Sequence, residues 1–134
     1  MKSTGNLLLA LTALALSMPQ ASAGERKSNP VTIAQYGSTI DASGSLGSAR
    51  NSADGYQYIG CAVESQPVNG APFVTCAARD AANRYVTCWS SDQTMVNTAR
   101  AISSTSFVDF YMESTTGVCG SLRVSNDSTV EPGR

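Results

Sequence analysis

Four cysteines, Cys61, Cys76, Cys88 and Cys119, carry the most readable chemistry in this chain. Four thiolates are enough for a zinc site, but such sites draw on closely spaced C-x-x-C pairs. Here the separations are 15, 12 and 31 residues. The first 23 residues read as an export signal, and an even cysteine count in an exported chain reads as two disulfides. Cys61–Cys76 with Cys88–Cys119 is the favoured pairing, because the second bridge would tie a meander to the last hairpin. Cys61–Cys119 with Cys76–Cys88 stays open, as does Cys61–Cys88 with Cys76–Cys119. The cysteines are read as structural, and the sequence implies no metal and no cofactor.

Catalytic chemistry has little to work with. The chain holds no histidine, which removes Ser-His and Cys-His nucleophilic schemes and the usual zinc ligands. It has no glycine-rich phosphate loop. A carboxylate pair such as Asp80 with Asp109 or Glu113 would suit a glycosidase, but a domain this small seldom builds the cleft. Asp109, inside the apolar run 107–111, reads as pairing with Arg123 or as exposed. Asn126-Asp127-Ser128 fits a glycosylation acceptor only in a eukaryotic secretory pathway. The sequence is therefore read as a non-enzyme.

The remaining candidates are aromatic. Side chains alternate faces along a strand, and parity places Tyr56, Tyr58, Phe73, Tyr85 and Trp89 opposite Cys61, Cys76 and Cys88. Five of the nine aromatic residues would then share one side of a meander. Such rings stack on sugars and anchor protein interfaces. The competing expectation is a second core covered by another part of the chain or by a partner.

The elements that must position these residues follow from pattern. Residues 56–63 (YQYIGCAV), 73–78 and 85–90 read as strands, separated by turn chemistry at 66–72 and by a polar connection at 80–84. Met95, Ala99 and Ile102 fall at helical spacing, with Ser90 and Gln93 as a capping box, predicting an amphipathic helix over 92–103. Residues 107–112 and 118–124 read as a last hairpin, with a bulge at Gly120 restoring the phase of Cys119. The fold expected is α+β: a small antiparallel sheet in the order β-β-β-α-β-β, one amphipathic helix packed on a face, and two disulfides.

Organisation along the chain is set by its N-terminus. Lys2, the apolar run LLLALTALAL over 7–16 and Ala21-Ser22-Ala23 form a signal peptide over 1–23, cleaved between Ala23 and Gly24. A membrane span needs about 20 apolar residues, twice this run. Residues 24–54 read as a polar flexible leader with at most one edge strand, 55–125 as the disulfide-stabilised domain, and 126–134 as a frayed tail. Removing Lys2 leaves eight basic against ten acidic side chains, a net charge of −2, which argues against nucleic acid. The expected product is a secreted or periplasmic binding module that takes a protein or a glycan on its aromatic face. The alternatives are an enzyme inhibitor or toxin-like effector presenting loop 66–72 or 80–84, and a structural envelope component.

Overall fold

The computed structural model describes residues 25–65 and 70–130. Residues 1–24, where a signal peptide is expected, and residues 66–69 and 131–134 lie outside it. Within it run β1 (Thr32–Tyr36), β2 (Thr39–Ser45), α1 (Leu46–Arg50), β3 (Tyr58–Glu64), β4 (Phe73–Arg79), β5 (Tyr85–Ser90), α2 (Gln93–Ala99), β6 (Phe107–Glu113) and β7 (Val118–Ser125). The strands make one mixed sheet in the order β1-β2-β6-β7-β5-β4-β3. All neighbours are antiparallel except β5 and β7. The sheet curls until β1 touches β4 and β2 touches β3.

Two expectations are corrected outright. The sheet is mixed, not purely antiparallel, and β1, β2 and α1 precede the meander where a flexible leader was expected. Residues 24–54 looked unable to form a core because their buried positions are small. Ala42 and Gly44 face Phe110 and Val108 across the β2–β6 ladder, so β6 supplies the bulk. A side chain at position 44 would meet the Val31 backbone at 3.0 Å, and this glycine lets residues 30–31 cross closely. Val31 and Ile33 are buried in the same core. Main-chain bonds from Ser45 N–H to Asn29 C=O (2.9 Å) and Lys27 N–H to Thr129 C=O (2.8 Å) complete the stitching. The latter also docks the segment that was expected to fray, and Val130 is buried there.

The concave face carries the core. Ile59, Val74, Cys76, Ala78, Cys88, Val108, Phe110 and Cys119 meet Ala49 of α1 and Val96 and Ala99 of α2 in a single cluster. The bridges are Cys61–Cys76, joining directly paired residues of β3 and β4, and Cys88–Cys119, joining β5 to β7. The β6–β7 register shifts between Tyr111 and Met112, so Gly120 is the extra residue that returns Cys119 to the core face.

The helix α2 is capped differently from the expected box. Ser90 is still the end of β5 and accepts from Asp92 N–H (3.1 Å). Asp92 is the N-cap, and its carboxylate accepts from Thr94 N–H (2.7 Å) and Met95 N–H (3.0 Å). These two bonds hold its carboxyl below the usual range. A carboxylate next to the first turn also meets the helix dipole favourably.

Candidate functional site

The convex face of β3, β4 and β5 is covered by no described residue. Pairing sets it out in rows: Tyr58–Arg79–Tyr85, then Gly60–Ala77–Thr87, then Ala62–Thr75–Trp89, and finally Glu64–Phe73. Val118 of β7 extends the third row. Tyr58, Tyr85 and Trp89 are exposed at 44%, 51% and 49%. These rings cap a floor of small side chains, which β-strand alternation fixes on this side. A hollow of about 310 Å³ lies on this floor, lined by Tyr58, Tyr85, Glu64 and the small residues of the middle rows. A second, of about 380 Å³, is lined by Phe73, Trp89, Gly70, Ala71 and Ser91.

Four of the five aromatic candidates therefore meet on one open surface. Tyr56 does not join them. It precedes β3, and its hydroxyl donates to Ala81 C=O (2.9 Å) at the β4–β5 turn. Its ring buttresses that turn and lines neither hollow.

The charged residues of this face, Arg79 and Glu64, lie outside the aromatic set drawn from the sequence, where residues 79–84 read as a polar turn. Arg79 stacks its guanidinium over the Tyr85 ring, 5.4 Å from the centroid, and its Nε is buried without an acceptor. No carboxylate pairs with it among the described residues. Strand parity on 73–79 carried the signal, since Arg79 falls in phase with Phe73. Burial raises the Tyr58 hydroxyl above its ordinary value and Tyr85 adds to this, while Arg79 opposes both.

Other candidate groups are occupied. Asp80 is 3% exposed and accepts from the N–H groups of Ala82 and Arg84 (3.0 Å each) and from Arg84 Nε (2.7 Å). Burial pushes its carboxyl up, but the Arg84 bonds and charge outweigh this and hold it low. It thus closes a tight turn in which Asn83 takes φ of 61°. Asp109 lies on β6, with β7 and β5 between it and β4, so Asp80 and Asp109 are not neighbours. Burial raises the Asp109 carboxyl, Asp41 raises it further, and Arg123 works against both. Asn126 donates to Ala101 C=O (3.1 Å) and accepts from Ser103 and Ser106, pinning the connection after α2 to the end of β7.

No protein-family model, curated protein or solved structure matches this chain. Among the described residues no group of three or more metal-ligating side chains converges, and no helix is long and apolar enough to cross a membrane. Two disulfides are compatible with a periplasmic or extracellular location.

Proposed function

We propose that this protein is a small exported binding module, released by cleavage between Ala23 and Gly24, that takes a protein or glycan partner on the convex face of β3, β4 and β5. The observation behind this is the exposure of Tyr58, Tyr85 and Trp89 around a floor of small residues. Rings needed only for a core would lie on the other side, with Phe110 and Val74. An uncovered aromatic patch on a rigid scaffold is the usual form of an interaction site. Arg79 supports negative charge on the partner near Tyr58 and Tyr85, because a cation stacked on a ring still lacks an acceptor.

The test uses the full chain, expressed with its export signal and recovered oxidised. It is screened for binding against a glycan array and a displayed peptide library. Trp89→Ala is expected to lose binding while staying cooperatively folded, at a cost of about 1 kcal/mol. Binding unchanged by both Trp89→Ala and Tyr85→Ala would remove this face from the function.

A further inference from the structure

The convex face ends at β3, which α1 and β2 touch at its start and whose outer edge is open beyond Ile59. β3 pairs with β4 on one side and with no described residue on the other. The direction of its main-chain groups follows from the ladder. Trp89 N–H donates to Gly117 C=O on the β7 side (3.1 Å), so the main-chain groups of Cys88 point the other way, toward β4. Those of its partner Cys76 then point to β5 and away from β3. Cys61 and Cys76 therefore form a non-hydrogen-bonded pair, in keeping with their Cα separation of 4.0 Å. Two-residue alternation then sends the N–H and C=O groups of Ile59, Cys61 and Val63 outward. No described residue bonds them, but Ile59 is 4% exposed beside α1, so the edge is open at Cys61 and Val63.

Side-chain burial gives an independent sign of the open edge. Cys76, Cys88 and Cys119 are buried on the concave face, whereas Cys61 and Val63, on that same face, are only half-buried. Proteins usually protect such an edge with lysine, proline or a bulge. The sequence YIGCAVE has no lysine and no proline, and its ladder with β4 runs without a register shift.

We infer that the partner is an extended segment of another polypeptide, which adds as a strand to the free edge of β3. Its main chain pairs with Cys61 and Val63, and its alternate side chains fall on the convex side beside Gly60 and Ala62. This rests on the aromatic face being the binding surface, and it selects protein over glycan. Outward amides at every second residue match a β-strand and have no counterpart in a sugar chain. A Cβ at position 60 would meet nothing within 4 Å, so an apolar side chain of the partner has room over the first hollow. Arg79 favours an acidic residue toward the Tyr58 end, and Glu64 a basic one toward the other. The segment contains no proline where it pairs.

Proline at position 63 removes one outward N–H and leaves the β4 ladder intact, as edge strands tolerate. Val63→Ala loses the same packing but keeps the N–H. The full chain is panned against a displayed library of random peptides, and the winning peptide is synthesised. The expected result is binding by the parent and Val63→Ala, loss of at least tenfold in affinity with Val63→Pro, and slowed amide exchange at Cys61 and Val63 in the parent complex. The exchange result stands even if Val63→Pro fails to fold. Peptide binding that needs Trp89 but leaves the amides of Cys61 and Val63 unprotected overturns strand addition and keeps the aromatic face. Glycan binding that needs Trp89, with no peptide selected, does the same. A dimer in sedimentation that Val63→Pro dissociates overturns it in favour of pairing between copies. Binding insensitive to both Trp89 and Val63 overturns both the strand and the face.

Discussion

Cys88 of β5 and Cys119 of β7 are bridged, Cα to Cα 5.1 Å, across the weakest seam of the sheet. Only Trp89 and Val118 stand in register between these strands, whereas every other neighbouring pair runs a ladder of five to seven residues. The seam divides β1-β2-β6-β7 from the β5-β4-β3 meander that carries the aromatic face. The bridge holds the two halves where hydrogen bonds do little. It closes a separation of 31 residues, worth roughly 3 to 4 kcal/mol in the chain-entropy model. Replacing both cysteines with alanine is expected to lose about that much in urea unfolding, and to speed amide exchange first along β7. Replacing Cys61 and Cys76 should cost less, since seven registered pairs already hold that hairpin. A larger loss from the Cys61–Cys76 pair would contradict this account of the seam.

Much of the meander could be read from residues 55–125, because β3, β4, β5 and β6 concentrate aliphatic and aromatic residues at alternating positions. The strands β1 and β2 could not. TIDASGS puts alanine, glycine and serine at its buried positions, and hydrophobic pattern is silent when a neighbouring strand supplies the bulk. The parallel contact of β5 with β7 was illegible for another reason. It depends on α2 carrying the chain back across the core face, a long-range matter that local pattern does not encode. Parity placed the four rings of the face correctly but included Tyr56, which lies before β3 starts. Element boundaries are where such a reading is weakest.

Gly120 makes a second prediction. A Cβ there would sit 2.1 Å from Tyr111 Cε2 and 2.7 Å from its Cζ, so the Tyr111 ring lies directly over the bulge. Gly120→Ala must expel that ring, and overpacking of this kind costs roughly 1 to 3 kcal/mol. Tyr111 is half-exposed, which places the expected value near the low end. In a Tyr111→Ala background the same change should cost much less. A double-mutant cycle of thermal melts measures the coupling, and simple additivity would show that the bulge itself demands glycine.

Two carboxylates give opposite pH dependences. Burial and Asp41 raise the Asp109 carboxyl above its ordinary 3.8 against the pull of Arg123. A native group that holds its proton more tightly than the unfolded chain stabilises the fold fully below 3.8, and that contribution is lost as pH rises through the raised value. Asp54 behaves the other way. Bonds from Gln57 Nε2 (2.5 Å), Tyr56 N–H and Gln57 N–H (3.0 Å each) and Ser52 lower it to about 2. Its contribution is full above 3.8 and lost as pH falls through about 2. Asp109→Asn should therefore raise the melting temperature at pH 7 and leave it unchanged near pH 3. Asp54→Asn should lower it at pH 7 and do little near pH 2. Melting curves across this range check both, and a stabilising Asp54→Asn at pH 7 would contradict the assignment. Gln57 also accepts from Val31 N–H (3.0 Å), so loss of Asp54 should loosen the start of β1 first.

Trp89 and Phe110 separate a surface ring from a core ring. Phe110 is fully buried in the core cluster, at 0% exposure, whereas half of Trp89 faces solvent. Deleting a buried phenylalanine removes its transfer energy and leaves a cavity, so Phe110→Ala is expected to cost about 3 to 5 kcal/mol. Trp89→Ala exposes Phe73 and Thr75 on an already open face and leaves no enclosed void, so about 1 kcal/mol is expected. Urea titration of both variants with the disulfides intact makes the comparison. A loss of 3 kcal/mol or more from Trp89→Ala would place its ring in a covered core, and the convex face would then have to be closed by a second copy or by the partner before the chain is stable. A small loss leaves the ring free for contact, with the stability of the meander set by the concave side and its two bridges.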